Sequence, residues 1–372
     1  MYEYFPGNYR WSYNLLLAFA AGGQFGDISM IGPRLLAKAG DDEAWHAEWR
    51  HLAGVLEKRA RGNIANGQNE SASENLFLAS LYHTIGEHFI PPSDPRRLEA
   101  YGHVLAAFEQ ARKLSRWPVE RVLVPYEGTT LPGYFMPSVV GKGPRPTVIF
   151  LCGLDTTKEL SFLRVRQHLA ERGMNCLALD TPGIGEVLRY QKLPTRFDYE
   201  KPVGAAIDYL SSRPDVDPKN IGIIGSSLGG YYVTRAAAFD KRLKAAVAWG
   251  VIYDYHAVWE RRLTVGGTVA APSFQLRYIT GTDTIEEAMK VIKNFHVGPI
   301  GGQVECSFLI VHGAEDQQVP ETAAQAMFDA IGSKDKSMKI FSGEEGGAAH
   351  CQFDNHLPAM QYVGDWLKSK LA

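Results

Sequence analysis

From Thr147 onward, short unbroken apolar runs alternate with segments whose apolar residues recur every three or four positions. The runs are Thr147 to Cys152, Asn175 to Asp180, Ile221 to Gly225, Leu243 to Trp249, Ser307 to His312 and Met338 to Phe341. Leu160 to Arg172, Pro202 to Arg213, Leu228 to Phe239 and Glu321 to Ile331 are among the amphipathic segments between them. A strand with apolar residues at consecutive positions must be covered on both faces, and intervening helices are what cover it. The pattern therefore predicts an α/β fold: a mostly parallel sheet with helices on both faces. Ahead of it, Val122 to Val124, the turn Glu127-Gly128-Thr129 and Leu131 to Met136 predict an antiparallel hairpin. Between Tyr253 and about Val304 the alternation lapses, which predicts a cap-like insertion over the sheet.

The first 117 residues follow a different rule. Trp45, Trp49, Leu52 and Leu56 recur at the spacing of one helix face. Ser71 and Glu74 have capping-box spacing ahead of LFLASLY. Asp94-Pro95 reads as an N-cap followed by proline at the first helical position, with Leu98, Tyr101, Leu105 and Phe108 as the next apolar stripe. No strand-like alternation interrupts the region. It is expected to form an all-helical domain, residues 1–117, ahead of an α/β domain, residues 118–372. A chain of 372 residues is long enough for both.

The formal net charge is −2, which excludes a nucleic-acid binder that relies on a basic face. At 45% hydrophobic and 22% charged residues, the chain can bury a large core, and disorder, collagen and coiled coil are excluded. Cys152, Cys176, Cys306 and Cys351 include no C-x-x-C pair, and the first three lie in apolar, strand-like runs. That spacing fits neither a zinc site nor a disulfide framework. No metal or other cofactor is expected. No apolar run reaches the ~18 residues of a membrane span, so no membrane association is expected. The run Leu15 to Gly23 has the apolarity of a signal-peptide core, but it follows Glu3, several aromatics and a single basic residue, Arg10. A true n-region is short and basic. A reducing, cytoplasmic setting is the expectation.

The segment Gly225-Ser226-Ser227-Leu228-Gly229-Gly230 lies between the strand-like IGIIG and a helical pattern. A nucleophilic serine has to project from a tight strand-to-helix turn, where bulky neighbours at positions 225 and 229 would clash with the backbone. Ser227 holds the central position between the glycines; Ser226 is its rival. The helix that follows directs its N-terminus at developing negative charge, and the Leu228 N–H can donate to an oxyanion. A serine of normal pKa needs a base and an orienting acid. In this architecture they follow in the order serine, carboxylate, histidine. Asp316 lies just past SFLIVH, beside the rival acid Glu315, and His350 lies in the glycine-rich loop Gly346-Gly347-Ala348-Ala349-His350. Both fall at carboxyl ends of strands, where an open α/β sheet places its ligand site. His312, at a strand end, is expected to pack, and His356 to open the last helix. The loop Leu151-Cys152-Gly153-Leu154-Asp155 offers the Leu154 N–H as second oxyanion donor, with Gly153 permitting close approach. Asp180-Thr181-Pro182-Gly183-Ile184-Gly185 has neither a P-loop lysine nor the form G-x-G-x-x-G, so it is not read as a nucleotide site.

The helical first third, the loops CGLDTTKE and DTPGIGE, the elbow GSSLGGYY, the turn HGAED and the late loop GGAAHC follow one another in an order with a known counterpart. The chain resembles the α/β-hydrolases typified by 2,6-dihydroxypseudooxynicotine hydrolase, a group that includes fungal polyketide-shortening hydrolases and esterases with a helical N-terminal domain. The resemblance implies the α/β-hydrolase fold, a triad of Ser227, Asp316 and His350, and N-terminal helices that cover the active site and help form a homodimer. It also implies a carboxylate in the insertion, matched here by Glu260 in Ala257-Val258-Trp259-Glu260-Arg261-Arg262. The bland alternative for Glu260 is a surface pair with Arg261 or Arg262. Aromatic residues of the N-domain and insertion, Trp11, Tyr13, Phe25, Tyr82, Tyr253, Tyr255 and Trp259, would suit a flat, ring-bearing small-molecule substrate, with core packing as the alternative for most of them. The expected reaction is hydrolysis of a C–C bond beside a ketone in an aromatic or polyketide-like molecule, with carboxylester hydrolysis second. A hydrolase-like receptor without chemistry is a third reading. A peptidase is a fourth, because elbow and HG-x-x-D recur in prolyl-peptidase-like enzymes; those usually begin with a β-propeller, whereas this chain begins with helices.

Overall fold

The computed structural model describes residues 1–264, 271–272 and 274–371, so part of the expected insertion (265–270 and 273) lies outside the described residues. The described residues divide into two compact units, one of residues 2–120 with 271–272 and 274, and one of Met1, residues 121–264 and residues 275–371.

The first unit carries five helices: α1 (Tyr9–Ala20), α2 (Phe25–Leu36), α3 (Asp42–Ala65), α4 (Asn69–Glu87) and α5 (Arg96–Leu114). The apolar run that begins at Leu15 lies in α1, with Leu15, Leu17 and Ala18 buried. On α3, Trp45, Trp49, Leu52 and Leu56 share one fully buried face. The Asp41 carboxylate starts this helix by accepting the N–H groups of Glu43 and Ala44, two of the donors a helix N-terminus leaves unpaired.

Two expectations for this unit are corrected. Helix α4 begins at Asn69, ahead of Ser71, and its N-cap Gln68 makes no side-chain cap. Packing carries the helix past the local capping signal, since Ala72, Leu76 and Phe77 are all buried. On α5 the buried stripe is Tyr101, Val104, Phe108 and Ala111, while Leu98 is 37% exposed and Leu105 half-buried. The inward position beside Leu98 belongs to Arg97, which is 1% exposed and pairs with the equally buried Glu87 at 3.1 Å. A buried charge pair is invisible to a search for apolar periodicity. Asp94 does mark the start of α5, its carboxylate accepting the Arg96 N–H at 2.9 Å.

The second unit is built on eight strands: β1 (Glu120–Tyr126), β2 (Thr129–Met136), β3 (Arg145–Leu151), β4 (Asn175–Leu179), β5 (Val216–Ser226), β6 (Leu243–Trp249), β7 (Ser307–Gly313) and β8 (Lys336–Phe341). They form one sheet in the order β1-β2-β4-β3-β5-β6-β7-β8. β1 and β2 are joined at Glu127 and Gly128, both with positive φ (39° and 82°), the backbone a tight hairpin turn requires. β2 runs antiparallel to β4, and from β4 to β8 every pairing is parallel.

The remaining helices are α6 (Lys158–Ala170), α7 (Gly185–Gln191), α8 (Glu200–Ser211), α9 (Leu228–Phe239), α10 (Tyr255–Thr264), α11 (Phe274–Thr280), α12 (Ile285–Ile292), α13 (Glu321–Ala330) and α14 (His356–Leu371). Alternate strand residues feed two cores. Ile149, Leu177, Ile223 and Ile310 pack with Val203 and Ile207 of α8, Val233 of α9 and Met327 of α13. Val148, Cys176, Ile224 and Val247 pack with Val165 of α6 and Val363 and Leu367 of α14. Both faces are covered, which is why the strands read as unbroken apolar runs. The four cysteines are free; Cys306 is half-buried just ahead of β7 and the others are buried. Among the described residues, no helix is long and apolar enough to cross a membrane.

Candidate active site

β5 ends at Ser226 and α9 begins at Leu228, so Ser227 is the whole of the turn. Its backbone sits at φ 57° and ψ −121°, a region that non-glycine residues seldom enter. The flanking glycines make that turn possible. A Cβ on Gly225 would lie 2.0 Å from the Gly229 oxygen, and one on Gly229 would lie 2.7 Å from the Leu151 oxygen. The Ser227 N–H donates to the Trp249 oxygen at 2.7 Å, which ties the elbow to the end of β6. The loop after β3 runs directly against it: a Cβ on Gly153 would come within 2.9 Å of both the Leu228 nitrogen and the Ser227 Cβ. Leu154 follows, half-buried. Ser226, the rival serine, is buried elsewhere, 3.5 Å from Cys152 Sγ and accepting from Arg164 Nη1 at 3.4 Å.

His350 Nε2 lies 2.9 Å from Ser227 Oγ, and His350 Nδ1 lies 2.6 Å from Asp316 Oδ2. The other Asp316 oxygen accepts the N–H groups of Gln318 and Val319 at 2.8 and 2.9 Å, so the carboxylate is fixed at both ends. The Asp316 and His350 side chains are almost wholly buried, whereas Glu315 is exposed to solvent. Burial alone would push His350 down, but the facing Asp316 carboxylate outweighs it and holds the imidazole above its ordinary range. Burial would raise Asp316, yet the His350 contact, His312 and the Val319 N–H together hold it below the ordinary carboxylate range. The pair therefore favours an ionised aspartate beside a readily protonated histidine. His312 packs as expected, its Nε2 3.1 Å from the Val319 oxygen, and burial lowers its proton affinity. The loops bearing acid and base are stitched together where Glu315 N–H donates to the Ala348 oxygen at 2.9 Å.

The sequence reading missed a buried charge cluster that ties two loops of this unit together. Lys158 Nζ lies 2.8 Å from Glu159, 3.1 Å from Asp180 and 2.8 Å from Glu186, and the lysine is fully buried. The Asp180 carboxylate also accepts the N–H groups of Lys158 and Glu186, each at 2.7 Å. A Cβ on Gly185 would lie 2.1 Å from that carboxylate, which explains the glycine in the second loop. Burial pushes the Asp180 carboxyl up, and the Lys158 ammonium opposes it. Beside the cluster, Arg189 pairs with Asp155 at 3.0 Å, and Gln275 donates to Asp155 at 3.0 Å. In sequence these charges read as an ordinary helix start; only the loop positions at the carboxyl ends of neighbouring strands carried a signal.

Trp259, read as a substrate contact, is 3% exposed and packs in the core edge-on to Tyr255, with the Arg262 guanidinium 5.0 Å from its ring. Glu260, next along α10, is exposed. Among the described residues it forms no ion pair with Arg261 or Arg262, and no hydrogen bond brings its carboxylate to Ser227 or His350.

Comparison with known proteins gives matches over most of the chain. Residues 39–261 match the family model described as Esterase FrsA-like, and residues 161–371 match that of the prolyl oligopeptidase family. A 2,6-dihydropseudooxynicotine hydrolase from Paenarthrobacter nicotinovorans is 29% identical over 91% of this chain and 87% of its own length. Hydrolase acrC from Aspergillus aculeatus is 28% identical over 99% of this chain and 97% of its own. The crystal structure of the 2,6-dihydroxy-pseudo-oxynicotine hydrolase superposes with a TM-score of 0.82 at 26% identity, covering 96% of each chain.

Proposed function

The chain belongs to the α/β-hydrolases, matched by the FrsA-like esterase and prolyl oligopeptidase families, and on that premise we propose that it cleaves a C–C bond beside a ketone in an aromatic or polyketide-like small molecule. One observation carries the chemistry: a serine on a strained elbow, 2.9 Å from a histidine that is itself 2.6 Å from a buried aspartate. Ser227 Oγ attacks the carbonyl carbon while His350 Nε2 takes its proton, and Asp316 holds the ring and stabilises the imidazolium. The N–H groups of Leu228 and Leu154 receive the oxyanion. Collapse of that intermediate breaks the bond to the leaving carbon, which departs as an enolate or an electron-rich ring carbon and takes the proton from His350. Water, deprotonated by His350, then releases the acyl group from Ser227 as a carboxylic acid. Glu260 is the residue of this reading that would hold a polar group of the substrate.

Carboxylester hydrolysis is the second reading, favoured by the match to FrsA-like esterases. It needs the same triad and no protonation at carbon. The prolyl oligopeptidase match covers residues 161–371 alone, and five helices, α1 to α5, precede the first strand of the sheet where a propeller would stand, so peptide cleavage is not proposed. The two leading readings separate in one experiment. Aryl ketones, 1,3-diketones and acyl-phenols are assayed beside p-nitrophenyl esters with the wild type, Ser227→Ala and Glu260→Gln. Ser227→Ala loses nearly all turnover on every substrate, retaining roughly 10³-fold acceleration over water. Glu260→Gln depresses ketone cleavage and spares the esters. Equal loss on both, or no ketone turnover by the wild type, assigns the enzyme as an esterase. Failure of the folded wild type to react with a fluorophosphonate would remove the catalytic reading altogether.

A further inference from the structure

Three side chains of the helical unit, one from each of three consecutive helices, converge on one point. They are Glu57 on α3, His83 on α4 and His103 on α5, and each offers one ligand atom, all within 4.8 Å of one another. His83 Nε2 lies 3.0 Å from Glu57 Oε1. The His83 and His103 rings stack with centroids 5.2 Å apart and planes 21° from parallel. His83 is 5% exposed, Glu57 27% and His103 43%, so the group runs from the helix interface out to solvent.

A buried imidazole hydrogen-bonded to a part-exposed carboxylate is a costly way to fill a helix interface that aliphatic side chains would fill better. Two imidazoles and a carboxylate form a donor set suited to a first-row divalent ion of the zinc type, and poorly suited to the oxygen-seeking magnesium or calcium. Tetrahedral zinc, with ligand distances of about 2.0–2.1 Å, sets ligand-to-ligand edges of about 3.4 Å. The Glu57–His83 edge is already close to that length, and the remaining edges, none longer than 4.8 Å, would close by about an ångström on binding. Glu99, one turn before His103, has an oxygen 4.0 Å from His103 Nε2, near enough to help orient that ring.

We propose that Glu57, His83 and His103 bind a zinc-type divalent ion that clamps α3, α4 and α5 together. Binding three helices in the folded state and none in the unfolded one, the ion stabilises this unit by linkage.

The test uses the full chain, stripped with a chelator and dialysed, then titrated with zinc by calorimetry and followed by thermal melting. Cobalt serves as a spectroscopic probe of tetrahedral nitrogen and oxygen ligation. One zinc per chain, a zinc-dependent rise in Tm and visible cobalt bands are expected. His103→Gln, at a half-exposed position, should weaken zinc binding by roughly 100-fold and abolish the Tm response. Should that variant fail to fold, the isosteric Glu57→Gln poses the same question. Absence of stoichiometric binding by the wild type, or undiminished binding and Tm response in the folded variants, would reduce the group to an ordinary Glu–His hydrogen bond beside a stacked ring and overturn the proposal.

Discussion

Replacing Lys158 by Met keeps the length of the side chain and deletes the one ammonium that Asp180, Glu159 and Glu186 share. The lysine and the first two carboxylates are 0–1% exposed, and Glu186 is 16% exposed. Glu186 keeps a second cation, Arg121 at 2.8 Å, so the loss falls on Asp180 and Glu159. Removing one partner of a buried ion pair costs about 3–5 kcal/mol, because the other charge stays desolvated. Against a total stability of about 5–15 kcal/mol, that is a large share. For a unit of this size it corresponds to a fall in Tm of roughly 6–20 °C. The pH dependence follows from the carboxylate left behind. Without its ammonium, buried Asp180 has a folded pKa well above its unfolded value of about 4. The penalty is then fully present above the folded pKa and is relieved as pH falls toward the unfolded one. Thermal melts of wild type and variant, monitored by circular dichroism near neutrality and near pH ~5, should show the gap narrowing in acid. A loss below ~1 kcal/mol near neutrality, or a gap that widens in acid, would refute the account of the cluster.

The raised proton affinity of His350 makes a kinetic prediction. Attack needs the neutral imidazole, so kcat/KM should rise with pH through a midpoint above the ordinary histidine value of about 6.5. Asp316→Asn should lower that midpoint and cut kcat by roughly 10⁴-fold; a wild-type midpoint at or below 6.5 would contradict the geometry. Gly153→Ala places a methyl 2.9 Å from the Leu228 nitrogen, and kcat should fall by about 10²-fold with a change of only a few degrees in Tm. Unchanged kcat in that variant would separate the β3 loop from oxyanion binding.

The sheet was legible because its strands have no polar face: Thr147–Leu151, Asn175–Leu179 and Leu243–Trp249 all lie where the apolar runs placed them. β5 begins earlier than its apolar run, at Val216, which pairs with Arg145 before a register shift, and the ladder resumes only at Ile221 opposite Thr147. What escaped reading depends on tertiary partners. Arg97 takes the inward place on α5 because Glu87 waits there. Lys158, in a sequence that resembles an ordinary helix start, is buried because three carboxylates surround it. At the site, Ser227, Asp316 and His350 could be named because elbow glycines and strand-end loops are local features. The place of Glu260 came from resemblance alone, and no spacing in the chain fixes which way its carboxylate points.

Ser227 and His350 are separated by 123 residues of chain, with β6, β7 and β8 between them. At about 5–20 residues per second, a ribosome finishes the elbow roughly 6–25 s before it adds His350, the proposed base. During that interval β6, β7 and β8 are still being added in turn, and Ser227 stands on an unfinished sheet without His350. Hydrolytic capacity therefore arrives in a single late step of synthesis, when the loop after β8 emerges and closes against the loop after β7. Any premature stop between residues 228 and 350 yields a chain that carries Ser227, the proposed nucleophile, without His350, the proposed base.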